Sequence, residues 1–310
     1  MKITIALRTY KRPEYFKQAL ASVHYQTHTD WELFIFDDSG DNQNVEIFKT
    51  FKNQHPNHTV LYVSSNTPRY LFKESWIMQF KLATGEVCVR LDDDDLLTED
   101  SLSYISKIYT EHSDLDFSYG SSIYFDETGL TETVETKTPH EHEKTRHIWE
   151  GYLNEHPYDR PWRFKYDHYN EPQFYTSIIH CSKANKFCTY GLYAMRTKAV
   201  MDVVDEIKIT TKVDDLEFMG SLEYLGLSHT SIKKSLLYVR NHEGERLTGD
   251  IENDILDARD KTDWLRPKSF QTNIYTQNIN GNISLESINK PHKIEFAKYY
   301  SKVKNYTKLF

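Results

Sequence analysis

Through the first hundred residues the apolar positions of the chain repeatedly change period. Lys2 to Leu7 (KITIAL) is a short β-rich run. Glu14 to His24 then carries Phe16, Ala19, Leu20 and Val23 on one helical face, and Pro13 with Glu14 behind it suits a helix first turn. Trp31 to Phe36 (WELFIF) predicts a second strand, Val45 to Phe51 a helix, and Thr59 to Val63 (TVLYV) a third strand. Phe72 to Ala83 predicts a third helix and Glu86 to Leu91 (EVCVRL) a fourth strand. Strands alternating with helices at this spacing imply βαβ units and a mainly parallel, Rossmann-like α/β sheet flanked by helices. Ligands of such sheets sit beyond the carboxyl ends of the strands. Two acidic clusters, Asp37-Asp38 and Asp92-Asp93-Asp94-Asp95, fall at those ends.

From Tyr119 onward the pattern loosens. Residues 137–198 are dense in His, Tyr and Trp, and the stretch from Tyr190 to Val204 reads as a turn followed by a helix. A further helix is expected from Leu216 to Tyr224 and a strand from Ser235 to Arg240. The last stretch, 290–310, predicts a basic helix with Ile294, Ala297, Tyr300 and Val303 on one face. Repeats and low-complexity linkers are absent from the sequence, so one compact unit with a C-terminal helical extension is the simplest division.

Composition narrows the class. Aromatic residues make up 14% of the 310 residues, which offsets a hydrophobic content of 38% and argues against disorder. The three cysteines, Cys88, Cys181 and Cys188, form no disulfide framework, and their odd number fits a reducing compartment. The N-terminal MKITIALRTYKRPEY reads as neither a secretion signal nor an anchor, and nowhere do about eighteen apolar residues run together as a membrane span requires. The expectation is a cytoplasmic protein without a transmembrane segment. Neither GxGxxG nor GxxxxGK[ST] occurs, no nucleophile elbow is present, and the His180, Cys181 and Cys188 spacing matches no common zinc site.

The acidic clusters carry the chemistry. Four adjacent carboxylates after an apolar strand repel one another unless a cation or a helix N-terminus is close. An EF-hand is excluded, because its sixth position needs Gly where the chain has Leu97. What remains is a solvated loop with Asp95 or Thr98 as helix cap, or a hard divalent cation, Mn²⁺ or Mg²⁺, bridging a phosphate. Asp37-Asp38 is either a turn with Asp caps or a reader of a base. A carboxylate only accepts hydrogen bonds, so it suits the N3–H of uracil or thymine and also the N1–H of guanine. UDP or dTDP is favoured, with GDP open.

A β-strand followed by Thr9-Tyr10-Lys11-Arg12-Pro13, a second ending Asp37-Asp38-Ser39-Gly40-Asp41, and then Leu91-Asp92-Asp93-Asp94-Asp95-Leu96-Leu97 resembles the family 2 glycosyltransferases of GT-A fold. The family's strings are roughly TYNR, DDGS and LDxDD, and all three occur here in order. The resemblance implies that Thr9 and Tyr10 line the nucleotide pocket, that Asp38 holds the base, that Asp94 contacts the ribose and that Asp95 binds the metal on the diphosphate, with Asp92 in support. Before the third helix the family has Asn-x-Gly-x-x-x-Ala-Arg. Here Asn66 fits, Pro68 replaces the Gly, and Lys73 stands where the Arg would be, able to meet a phosphate as a point charge. Val213-Asp214-Asp215-Leu216-Glu217 resembles the family's Glu-Asp-x-Glu-Leu motif, which makes Asp215 the catalytic base. Taken alone it is an N-cap for the following helix. Tyr238-Val239-Arg240-Asn241-His242 resembles the family's Tyr-Arg-x-x-His-like ending, with His242 completing the metal shell, touching the diphosphate or serving structure. The resemblance implies an inverting, metal-dependent transfer of a sugar from a nucleotide-diphosphate donor. Residues 1–245 would form the catalytic domain, with 1–105 its nucleotide half and 106–245 its acceptor half, and 246–310 an extension.

Charge patterning bears on the acceptor. The chain totals −8, yet residues 137–198 hold ten Lys+Arg against seven acids with six His, a local +3. Within them Tyr158-Asp159-Arg160-Pro161-Trp162-Arg163-Phe164-Lys165-Tyr166 interleaves aromatic and basic side chains, which suits sugars and bases alike. The basic 290–310 helix fits an anionic membrane surface, a nucleic acid, or plain docking onto the domain. A saccharide acceptor is expected from the family. The alternatives are hydroxymethyl-pyrimidine DNA, as for phage-type glycosyl- and arabinosyltransferases, or a non-catalytic sugar- or nucleotide-binding protein.

Overall fold

The computed structural model describes residues 1–65, 71–133, 192–207, 209, 218–219, 221–222, 225, 227–241 and 290–310. The catalytic-base candidate Asp215, the metal-shell candidate His242, Cys181, Cys188 and the aromatic-basic run 158–166 lie outside them, as does the side chain of Lys73.

The N-terminal half follows its hydrophobic pattern closely. Strands β1 (Ile3–Thr9), β2 (Trp31–Asp37), β3 (Val60–Ser64) and β4 (Val87–Asp92) alternate with helices α1 (Pro13–His24), α2 (Val45–Gln54) and α3 (Leu71–Leu82). β2 is buried at all seven positions, the mark of a central parallel strand covered on both faces. The four strands pair in parallel in the order β3-β2-β1-β4. Their register sets Thr9 opposite Asp37 and Arg8 opposite Asp92, so both acidic clusters meet the β1–α1 turn at one carboxyl edge.

The remaining sheet is mixed. Two-residue β5 (Leu96–Leu97) precedes α4 (Ser101–Glu111), then β6 (Phe117–Asp126) and β7 (Gly129–Thr133). β8 (Tyr193–Arg196) and α5 (Thr197–Val203) follow, then β9 (His229–Arg240) and α6 (Lys290–Tyr306). Beyond β4 the order continues β8-β6-β9-β5, with β7 on β6. β8 runs antiparallel to β4 and β6, and β9 runs parallel to β6. The 190–204 stretch, expected as turn then helix, thus also contains a strand, and the 235–240 strand begins earlier, at His229. α4 and the β6–β7 hairpin have no counterpart in the hydrophobic reading.

α6 is a helix as expected, but its buried stripe is Phe296, Tyr299, Tyr300, Val303 and Tyr306, while Ile294 is 45% exposed and Ala297 is open to solvent. The aromatic stripe offers more area to bury than the aliphatic one, and it turns the helix accordingly. α6 packs on α1 and β7. On the other side of the sheet Trp76 and Phe80 of α3 stack with Phe218, at 4.5 and 5.8 Å between centroids. No described helix is long and apolar enough to cross a membrane.

Candidate active site

The carboxyl edge of β1, β2 and β4 is organised by carboxylates with separate tasks. Asp37 is buried and works within the protein. Its Oδ1 accepts from Ser39 N at 2.9 Å, and its Oδ2 accepts from Asn44 Nδ2 at 2.9 Å and from the Tyr62 hydroxyl. Burial and this bond raise the Tyr62 phenol above its ordinary pKa, so it stays a donor. The neighbouring Asp38 is 2% exposed, and its N–H donates to Thr9 O at 2.9 Å, which locks β2's end to β1's.

The four-aspartate turn divides similarly. Asp93 is the buried member and clamps the β1–α1 turn. Its Oδ2 accepts from Thr9 Oγ1 at 2.8 Å and Tyr10 N at 3.0 Å, and its Oδ1 lies 3.4 Å from Arg12 Nη1. Burial, and next the Asp94 charge, push its carboxyl well above the usual range. Thr9 is itself buried, its hydroxyl engaged by Asp93. Lys11 takes a left-handed backbone (φ 52°), held by its N–H to Ser39 Oγ at 2.9 Å, with its ammonium 5.5 Å from the Tyr10 ring centre. A non-glycine residue there is uncommon and marks a turn fixed by its surroundings.

Asp94 forms an ion pair with Arg12. Asp95 N–H reaches Asp92 O at 3.3 Å to close the turn, and Asp95 Oδ1 accepts from Arg240 N at 3.1 Å. Asp92 has a 45% exposed side chain, while its Oδ1 is buried without a hydrogen bond and lies 3.4 Å from Arg8 Nη2 as an ion pair. Tyr10, Asp38, Asp94 and Asp95 therefore converge on one edge, whereas Lys73's side chain, Asp215 and His242 fall outside the described residues. Arg12, Asp93, Asn44 and Arg240 complete the site; the first two and the last stand inside the quoted motifs, yet none had been assigned a role. Both arginines had a usable signal, Arg12 in the Thr9–Pro13 string and Arg240 in the Tyr238–His242 ending, but neither string says that the guanidinium turns toward the aspartate turn.

Whether these residues suit a divalent cation follows from their chemistry. Among the described residues no three His, Cys, Asp or Glu side chains form a ready cage. Mg²⁺ and Mn²⁺ sites of nucleotide enzymes use one or two carboxylates, with substrate phosphates and water supplying the rest. Burial, then the charges of Asp94 and Asp92, raise Asp95 well above the carboxylate range, and Asp92 Oδ1 lacks a hydrogen bond. A bound dication would relieve both, so the turn fits such an ion.

Parallel βα units carrying an acidic carboxyl edge, continued by a mixed sheet, form the GT-A architecture. The chain belongs to glycosyl transferase family 2, whose model matches residues 4–202. TarS 1-349 of S. aureus, solved in complex with UDP-GlcNAc, is similar in fold at 15% identity with a TM-score of 0.57, covering 81% of this chain and 61% of that one. The mannosyltransferase PcManGT of Pyrobaculum calidifontis, solved with GDP-Man and Mn²⁺, is similar at 14% identity with a TM-score of 0.51, covering 79% and 57%. Uncharacterized glycosyltransferase alr2836 of Nostoc sp. is 28% identical over 109 residues, which are 35% of this chain and 33% of that protein. The chain thus spans about a third of that relative's length.

Proposed function

We propose that the protein is an inverting, metal-dependent glycosyltransferase that moves a sugar from a nucleoside-diphosphate donor, UDP-sugar first, to a saccharide hydroxyl. The observation carrying this reading is the convergence of Tyr10, Asp38 and the Asp92–Asp95 turn at the carboxyl edge of β1, β2 and β4. The fold neighbours with UDP-GlcNAc or GDP-Man bound support a nucleotide-sugar donor, and Mn²⁺ in one supports a divalent ion without choosing between Mn²⁺ and Mg²⁺.

In this reading Asp38 accepts the imide N–H of the base, Tyr10 offers an aromatic face for stacking, and the Thr9–Tyr10 turn stays in place because Asp93 clamps it. Asp94 contacts the ribose. Asp95, with His242, would hold the cation, and Lys73 would meet the diphosphate. When bound, that ion supplies charge neutralisation for the diphosphate leaving group. Asp215 takes the proton from the acceptor hydroxyl as it attacks the anomeric carbon from the opposite face, so one carboxylate suffices where glycosidases need two. Phe218, three residues further on in the sequence, is buried against Trp76 and Phe80.

Two substitutions test the assignment. Asp95→Ala should abolish the Mn²⁺-dependent part of UDP binding in calorimetry; unchanged binding removes Asp95 as the metal ligand. Asp215→Asn should retain UDP binding and lower transfer by about a hundredfold or more, the scale of a lost general base. Transfer at the wild-type rate would exclude it as the base. Screening UDP-, dTDP- and GDP-sugars for hydrolysis selects the donor.

A further inference from the structure

Arg240 ends β9 with its side chain almost fully buried, and each face of its guanidinium is in use. Its Nε donates to Asp94 O at 3.0 Å, its Nη2 to Gln18 Oε1 at 2.8 Å, and its Nη1 to Glu127 Oε1 at 2.8 Å and to the Tyr300 hydroxyl at 3.0 Å. Its own N–H caps Asp95 Oδ1. The rings of Tyr15 and Phe125 lie 4.5 and 4.4 Å from its Cζ. One cation thereby ties the aspartate turn to α1, the β6–β7 turn and α6.

α6 holds this arrangement from behind. The Tyr300 hydroxyl accepts from Arg240 and donates to Glu127 at 3.1 Å, and Lys304 Nζ reaches the same carboxylate at 2.9 Å. One residue earlier, Tyr299 donates to Leu97 O at 2.6 Å, gripping the strand directly after the turn. The helix therefore fastens the turn at two points, although residues 290–310 lie beyond the matched residues 4–202.

We propose that Arg240 is a positioning residue of the donor site and that the C-terminal helix is part of that site because it seats Arg240. Four neighbouring carboxylates repel one another and drive the turn apart, and a buried cation bonded to the Asp94 carbonyl, beside a backbone N–H on Asp95, opposes that. Lysine cannot replace it, since an ammonium lacks the planar fork that reaches Asp94, Glu127 and Gln18 together. The inference deepens the proposed function and rests on it, with the turn as the place where cation and diphosphate meet.

The test uses the full chain, with Mn²⁺ and UDP as probes. Wild type, Arg240→Gln, Arg240→Lys and Tyr300→Phe are titrated with UDP in the presence of Mn²⁺ and in EDTA, and Mn²⁺ uptake is followed separately by electron paramagnetic resonance. Arg240→Gln should weaken Mn²⁺-dependent UDP binding about ten- to a hundredfold, the range for lost outer-shell support of a metal site. Binding in EDTA should change by a much smaller factor, because Asp38 and Tyr10 are not touched and only the Asp94 contact to the ribose depends on the turn. Arg240→Lys should not rescue, and Tyr300→Phe should shift the same quantity in the same direction by a smaller factor. A merely structural role would weaken both kinds of binding together, and that result overturns the proposal, as does a folded Arg240→Gln with wild-type Mn²⁺ dependence. If Arg240→Gln does not fold, Tyr300→Phe decides alone on the same criterion. Wild type that binds no UDP under either condition overturns the donor-site reading and this inference with it, whereas a binding wild type with indifferent variants overturns this inference alone.

Discussion

Glu32 places a carboxylate inside the sheet with none of its surface exposed. Burial alone would push it upward, yet bonds from Lys2, Thr4 and Thr84 hold it down at about 2. Its Oε1 accepts from Thr4 Oγ1 at 2.6 Å, Thr84 N at 2.7 Å and Gly85 N at 3.1 Å, and its Oε2 accepts from Thr84 Oγ1 at 2.6 Å and Lys2 at 2.8 Å. The same junction admits only glycine at 85, where an added Cβ would lie 2.6 Å from Thr4 N. Glu32→Gln sets an amide N–H₂ against donors, and we expect a loss of about 2 kcal/mol, the cost of leaving buried donors unmet, read as a lower urea midpoint with an unchanged slope. The sequence showed Glu32 as one polar letter in WELFIF. Likewise Asp93 was one of four identical letters, and only the fold separates the clamp from its three less buried neighbours. Residue type signalled where carboxylates gather, and their burial settled what each does.

Among the elements, α6 is held by histidine chemistry as well as by its aromatic stripe. The Tyr306 ring stacks on His24 at 4.3 Å, and its hydroxyl donates to Gln54 and lies 3.5 Å from His55 Nε2, which shares a hydrogen bond with His24 Nδ1 at 3.2 Å. Burial, then the proximity of His24 and His58, lowers His55 to about 4, and burial lowers His24 as well. Tyr25, edge-on to His24, and Trp31, edge-on to His55, complete the surroundings. A base with a depressed folded pKa is protonated first in the unfolded chain. Its contribution is therefore intact above pH 6.5 and is lost as the pH falls toward 4, by about 3 kcal/mol for His55. Thermal melts between pH 7 and 4 should show that loss, and His55→Gln should flatten it. The helix was legible from spacing, and so were Tyr300 and Val303 on its buried face; Ile294 and Ala297 were not, since Phe296, Tyr299 and Tyr306 offered more area and took the rest of that face. β8 escaped because four residues are too few to show a period.

At the scale of the molecule, the two halves of the sheet differ in how far a local reading reaches. β1 to β4 are each followed by the helix or turn that covers them, so pattern, order and carboxyl edge emerge together. β6 pairs with β9 through Phe117 and His229, residues joined only by the finished fold, and β8 slips antiparallel between β4 and β6. No sequence period announces such pairings. Family resemblance supplied the architecture that periodicity could not, and it did not foresee that the C-terminal helix reaches the aspartate turn.

The grip of Tyr299 on Leu97 has a second consequence. β5 ends the strand order, and an outer strand normally presents unused backbone groups to any passing chain. Here the Leu97 carbonyl is taken by Tyr299 and its N–H by Ser22 Oγ at 3.2 Å. The helix that steadies the site thus also covers part of this outer strand: without it the Leu97 carbonyl would lose its partner and stand open as an acceptor at that margin.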